Sequence, residues 1–343
     1  SLGFVMHVEA LHPIGRYRIL LGSLLLVFVY GLLLLEVINR SIVAFIGAFL
    51  ALLLYSLIFE APELSTVVGW MDESTLCLLF GMMIMIQLLS TTGFFEFMAI
   101  RMFILSKGNA LALNFALCML TTVCSAFLDN VTTMLLIAPV TIEVCGIMKM
   151  SPIPFLLSEV VFSNIGGTAT QIGDPPNIIV GTSLGYSFAD FLTNTGVIAG
   201  ICLVFVVFYF LLIFRKDLKE AGKSKIDISS MPDPKEAITD KRSFIISIVI
   251  FLCAVVMLVT HAQTGLTVAF IGSVIAVLTL ITSGKHALEL IKKVDYKTLL
   301  FFIGLFVVVG GLEQTNVLEL VANFIEMISG GNVIFVIIII VWL

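Results

Sequence analysis

Two polar interruptions in otherwise apolar stretches hold the residues with chemistry to offer. The first is C-S-A-F-L-D-N-V-T-T-M-L-L-I-A-P-V, Cys124–Val140, where Asp129 stands beside Asn130 between the apolar runs Ala110–Phe127 and Val131–Met148. Ser125, Asp129, Asn130, Thr132 and Thr133 bring side-chain oxygens, and a turn there exposes backbone carbonyls and amides. Hard cations such as Na⁺ are held by such oxygens, whereas helix N-termini aimed at a gap favour anions. An acid deep in an apolar environment is costly, so it persists where irregular backbone lines a cavity or is covered by protein. The alternative is a solvated loop between two full spans, with Asp129 serving as a helix N-cap. Asn130-Val-Thr132 also matches a glycosylation acceptor, a use that the apolar flanks oppose.

The second interruption is S-N-I-G-G-T-A-T-Q-I-G-D-P-P-N, Ser163–Asn177. Its glycines and prolines break a helix and let backbone approach a ligand closely. Asn164, Thr168, Thr170, Asp174 and Asn177 supply side chains, and Gly166 and Gly167 supply bare backbone. Pro175–Pro176 is expected to stop a helix, and Asn177 to cap one that resumes at Ile178. A phosphate loop is excluded, because no G-K-[ST] follows and no strand precedes. An ordinary loop, with Asp174 anchoring its turn, is the other reading. Glu159 lies four residues before Ser163, on one helical face. It is either a proton carrier or a hydrogen-bonded structural acid, and Asp129 is the other candidate for carrying a proton. Glu96 and Glu319 sit near helix ends and read as interfacial; the Met cluster Gly81–Ile86 reads as core packing.

The elements that must position these residues are membrane helices. Hydrophobic residues make up 60% of the 343 and charged residues 12%, about half the charge of a soluble domain. With a net charge of −5 there is no basic surface for nucleic acid. The six Cys lie in apolar runs without a CxxC pair, and no Ser-His-Asp or HExxH constellation is present, so neither a disulfide framework nor an enzyme is indicated. Candidate spans are Ile19–Leu35, Ile42–Phe59, a run from Leu76 with a break at Thr91–Gly93, Gly196–Phe214, Phe244–Thr260, Leu266–Ile281, and a segment opening at Leu299 with an amphipathic tail to Ile328. The segment Arg215–Arg242 carries eight of the 18 Lys and Arg and reads as a solvated linker. If that linker is cytoplasmic and Asn109–Lys149 enters and leaves on one side, every basic residue but Arg16 and Arg18 is cytoplasmic. Two full spans would satisfy the count equally; the polar tip favours a re-entrant hairpin.

The chain repeats itself. V-A-F-I-G at Val43–Gly47 recurs at Val268–Gly272, and Asp72–Asn109 matches Asp295–Asn332 ungapped at an offset of 223, with eleven of 38 positions identical. Matched Asp, Thr, Gly, Glu and Asn in one register argue for duplication rather than chance likeness of apolar helices. The first copy has an odd number of crossings in this topology, which inverts the second, and inverted repeats are common in secondary transporters. The same offset puts a second hairpin tip beyond Leu343, so the second copy reads as partial. Ser1–Arg18 lacks the pattern of a signal peptide, and the apolar run Val333–Leu343 is too short to span.

S-A-F-L-D-N-V-T-T-M-L-L and N-I-G-G-T-A-T-Q-I-G-D-P-P-N resemble the two signature segments of the ion transporter superfamily. Within it, they look like the arsenite permease and NhaD-type sodium/proton antiporter group, with a citrate-transporter-like domain. G-F-F-E-F and Thr75–Ile84 add to a likeness with the melanosomal P-protein branch, while F-F-I-G-L-F-V-V-V-G-G-L-E looks more like microbial members. The resemblance implies a fold like the divalent anion/sodium symporters, each repeat giving a re-entrant hairpin and a discontinuous helix to one site. Those symporters carry Ser-Asn-Thr at the hairpin tip; here the matching residues are Asp129, Asn130 and Val131. An acid in place of Ser repels a dicarboxylate unless it is protonated or sodium-bound, and favours cation or proton coupling or a neutral substrate.

The resulting expectation is an all-α polytopic inverted-repeat transporter, not an enzyme. The first repeat is 18–214, with hairpin 109–149 and broken helix 153–185; the cytoplasmic linker is 215–242 and the partial second repeat 243–343. It would move an ion or small anion coupled to Na⁺ or H⁺, with Na⁺ near Asn130, Gly167 and Thr168 and no other cofactor. An ion channel, a citrate-like carboxylate symporter and, last, a non-transporting scaffold are the alternatives. The expected partners are the bilayer, a small inorganic ion or anion, and a second copy in a homodimer. The expected location is the plasma membrane or an organelle membrane such as that of the melanosome.

Overall fold

The computed structural model describes residues 17–107, 109–214 and 233–342. Arg16, the N-terminal segment before it and linker residues 215–232 lie outside the described residues. The regular elements among the described residues are helices, in the order α1 Arg18–Leu35, α2 Arg40–Ile58, α3 Leu64–Gly69, α4 Glu73–Thr91, α5 Phe94–Ser106, α6 Ala110–Ser125, α7 Asn130–Ile147, α8 Ile153–Thr168, α9 Pro175–Leu184 and α10 Phe188–Ile213. After the linker come α11 Lys241–Thr264, α12 Val268–Ser283, α13 Ala287–Lys292, α14 Tyr296–Gln314, α15 Val317–Ser329 and α16 Val333–Trp342. Polar residues between apolar runs start many of them. Asn39, Asn109, Asp129, Ser187, Asp240, Thr267 and Asp295 each accept a hydrogen bond from the first turn of the helix that follows.

Eight stretches among the described residues are long and apolar enough to cross a membrane, from Arg18–Leu35 to Tyr296–Gln314. The chain is an integral multi-pass membrane protein of the all-α polytopic class. α6, at 16 residues, is shorter than these, whereas α7 is long enough. The expected break at Thr91–Gly93 is present: α4 ends at Thr91 and α5 starts at Phe94, with Gly93 at φ +81.

The elements recur with the sequence. Adding 223 to the bounds of α4 and α5 gives those of α14 and α15, and α6 begins at Ala110 as α16 does at Val333. Gly93 and Asn316, at equivalent positions, both have positive φ, as do Lys107 and Gly330. The hydroxyls of Thr92 and Thr315 close equivalent helix ends on Leu89 O at 2.7 Å and Leu312 O at 2.6 Å.

The chain folds into two compact units, each drawing on one set of these pieces. In the unit made by residues up to Asp72 and from Asp295 onward, α2 packs along α14, and Gly304 lies against Ala44. Leu25, Val29, Val43, Ile58, Val308 and Leu312 form its core. In the unit Glu73–Val294, α4 packs along α12, and Gly81 lies so close to Gly272 that a methyl group on either would collide with opposing backbone. The first helix of each copy touches the other copy's helix end: Gly22 meets Thr315 in one unit, and Ser247 Oγ lies 3.5 Å from Thr92 Oγ1 in the other. Small residues let helices approach closely where lipid gives no hydrophobic drive for association.

The described end of the charged linker docks through its backbone while its charged side chains stay exposed. A 3₁₀ turn, Pro234–Ala237, packs on α5, the Thr239 N–H donates to Thr92 O at 3.2 Å, and Ala237 O covers Gly93. Gly93 lacks the side chain that would block this contact.

Candidate functional site

The two polar interruptions meet within the unit Glu73–Val294. α6 and α7 form a hairpin whose turn is residues 126–129, and α8 and α9 are separated by the irregular stretch 169–174. Three pairs of residues link hairpin and broken helix at the same level. Ser125 Oγ donates to Ser163 O at 2.7 Å, Ser163 Oγ donates to Asn130 O at 3.2 Å, and Asn130 Nδ2 donates to Asn164 Oδ1 at 3.0 Å. Thr170 adds a fourth link, donating from Oγ1 to Ala126 O and accepting from the Gly173 N–H at 3.1 Å.

Asp129 is the N-cap of α7. Its Oδ1 accepts from Thr132 N at 2.9 Å and its Oδ2 from Thr132 Oγ1 at 2.5 Å. The capping role expected as an alternative is therefore real, but the surroundings are not an open loop: Ser125, Ser163 and Thr170 beside it are buried. The Asn130 backbone amide lies near the carboxylate of Asp174, and Asp129 is near enough for the two negative charges to repel. The N-terminal ends of α7 and α9 and two carboxylates thus converge on one place.

Glycine makes this convergence possible. A methyl group on Gly166 would collide with Thr122 O; one on Gly167 would lie 2.7 Å from Asp174 Oδ2; one on Gly173 would meet Gly167 O, with Ser125 O at 2.8 Å. Two expectations are corrected here. Gly166 and Gly167 do not break the helix but lie inside α8, where they permit close packing, and the break falls at 169–174. Asn177 does not cap α9. Pro175 and Pro176 open that helix, with no N–H needed at its first turn, and Asn177 reaches back from inside it, donating to Gly167 O at 3.0 Å and to Thr170 O at 2.9 Å.

The other expected residues divide. Thr133 is buried on the core side of α7, and Thr168 is exposed and bonds Ile165 O of its own helix at 2.9 Å, so neither side chain joins the links at the tip. Of the positions considered for Na⁺, Asn130 and Gly167 are at the convergence. Ser163, Thr122 and Gly173 were not among the candidates, although Ser163 holds both Ser125 and Asn130. Their signal was small or hydroxyl residues in otherwise apolar helices.

A groove of about 510 Å³ runs between α7 and α8 beside this convergence. Asn130, Ser163 and Asn164 form its polar end, and Val131, Met134 and Val160 are among its apolar walls. Pro139, inside α7, also lines it and frees the carbonyl of Leu135 four residues back, another lining residue.

One turn below Ser163, Glu159 is fully buried among α6, α7 and α8. Thr141 Oγ1 donates to its Oε1 at 2.6 Å, and Oε2 has no hydrogen-bond partner. Nearby, Asn114 Nδ2 donates to Ser158 Oγ at 3.4 Å.

Membrane-capable helices arranged around a pair of linked helix breaks define a polytopic membrane protein. The chain matches the citrate transporter family over residues 30–343, and it belongs to that family. It is 45% identical to the P protein of Mus musculus over 189 residues and 43% identical to that of Homo sapiens over 200, covering 54% and 57% of this chain. Those matches span only 22% and 24% of the mammalian proteins. It is also 36% identical to the 46 kDa membrane protein of Mycobacterium leprae over 305 residues, 88% of this chain and 70% of that protein. The likeness to a citrate-transporter-like domain and to the P-protein branch is borne out.

Proposed function

We propose that the protein is a secondary transporter of an ion or small anion, coupled to Na⁺ or H⁺, and that it performs no enzymatic reaction. The observation that carries this reading is the Asn130–Asn164 link, which joins the hairpin tip to α8 one turn before its break, beside the carboxylates of Asp129 and Asp174. Broken helices lining a cavity are how transporters present backbone polar groups to an ion at membrane depth. A cation would be held by Asp129, Asp174 and the Gly167 carbonyl; an anion would approach the N-terminal ends of α7 and α9. Asn109–Lys149 acts as a re-entrant hairpin, the second repeat is inverted, and movement of one bundle against another alternates access.

A citrate-like carboxylate is the second reading, supported by the family's description. Two carboxylates at the tip repel a polyanion, so this substrate requires Na⁺ or protons between them.

The test uses the full-length protein in liposomes with an internal pH dye under an imposed Na⁺ gradient, with and without Asp129→Asn. Proton movement that follows the gradient and is lost in the variant supports exchange at this site. If protons stay still, labelled chloride and citrate are tried with the same pair of proteins. Saturable flux of either, lost in the variant, supports an anion transporter. Flux that neither saturates nor couples points to a channel, and equal behaviour of both proteins with every probe sinks the site.

A further inference from the structure

Glu159 plays no part in the links at the tip, yet among the described residues it is the one carboxylic acid that is fully buried. It is wholly shielded from solvent, and the structure gives its two carboxyl oxygens one donor, Thr141. The helices around it bring no cation. Cys118 from α6 and Cys145 from α7 are the titratable groups that feel its charge. α10, also packed on α8, has its titratable residues Asp190, Cys202 and Tyr209 exposed, and Glu143 of α7 is exposed as well. A carboxylate in this place would have lost its water and gained a single hydrogen bond. A carboxylic acid carries no charge to desolvate, and the unpartnered Oε2 is where its proton would sit.

Its position ties it to the site. Ser163, four residues on and so about 5–6 Å away on the same face of α8, lines the groove and bonds both Ser125 and Asn130. Hydroxyl groups therefore lie at one end of a buried acid and at the wall of the groove. We propose that Glu159 is the proton-binding residue of the transport cycle, loaded and emptied through the groove past Ser163 as the tip fills and empties. This rests on the reading of the tip as a transport site and assigns H⁺ as a coupling ion. The proton adds to and leaves a carboxyl oxygen, so no other reactant is needed.

The test places the full-length protein in liposomes and measures accumulation of radioactive sodium, and separately of labelled citrate, driven by a pH gradient, together with exchange of the same probe at equilibrium. Glu159→Gln, close in volume, is expected to lose proton-driven accumulation while keeping equilibrium exchange. Accumulation by Glu159→Gln equal to wild type overturns the proposal. Thr141→Val offers a second readout that does not touch the acid. Removing the one donor to the carboxylate favours the protonated form, so the pH profile of accumulation moves to higher pH. An unmoved profile with intact folding also overturns the proposal. Failure of the tip reading is distinct: Asp129→Asn and Asn130→Ala would then exchange the probes as well as wild type does.

Discussion

The hairpin turn and the α8–α9 break, which meet where Thr170 bonds Ala126 O, are built in opposite ways. In the hairpin, side chains make the turn: Asp129 caps α7 through Thr132, and the chain reverses over four residues, 126–129. In the broken helix, backbone packing does it: Gly166, Gly167 and Gly173 lie against Thr122 O, Asp174 and Ser125 O, and Asn177 reaches back to two carbonyls. A side-chain cap can be exchanged for another acceptor of similar shape, whereas a backbone contact through glycine leaves no room for any other residue. The hairpin tip is thus where chemistry can vary with the fold kept, and the α8–α9 break is where the fold is committed.

That contrast can be broken most strongly at Gly166. Gly166→Ala drives a methyl group into the Thr122 carbonyl. The gain in helix propensity, about 0.5–1 kcal/mol, is outweighed by an overpacking cost of about 1–3 kcal/mol. Thermal unfolding in detergent should show a clear fall, and an unchanged midpoint would mean that α6 and α8 are not held this closely. Asn177→Ala removes two hydrogen bonds, to Gly167 O at the end of α8 and to Thr170 O in the break, and should cost about 1–2 kcal/mol. Thr132→Val removes the hydroxyl donor to Asp129 but leaves the Thr132 N–H in place, so about 0.5–1 kcal/mol is expected. Asp129→Asn should change stability least, by a few tenths of a kcal/mol at about equal capping strength, and yet abolish coupled flux. A variant that unfolds would show that the carboxylate is there for structure; one that folds and transports normally would remove Asp129 from the site.

Much of this architecture was legible in the chain. Apolar runs broken by Asp129–Asn130 and by the Gly-Pro segment marked both interruptions, because polar residues and helix breakers are too costly in such runs to be incidental. The 223-residue recurrence was visible because Thr92 and Thr315, or Gly81 and Gly304, keep the same local job in each copy. Where local pattern and tertiary demand diverged, the reading failed. Gly166 and Gly167 looked like breakers and are helical, because their lack of a side chain serves the neighbouring helix rather than a bend. Asn177 looked like a cap, but its carbonyl partners lie on the preceding segment.

Membrane class, the two breaks and the identities of the polar groups follow from composition and periodicity, which act along the chain. The joining of Ser125 to Ser163 and of Asn130 to Asn164, the approach of Asp174 to the hairpin tip, and the isolation of Glu159 beneath Thr141 came only with folding. Each depends on the rotation and axial register of one helix against another. Hydrogen bonds are lost within an ångström of such a shift, and a one-dimensional pattern of apolar and polar residues leaves that shift open.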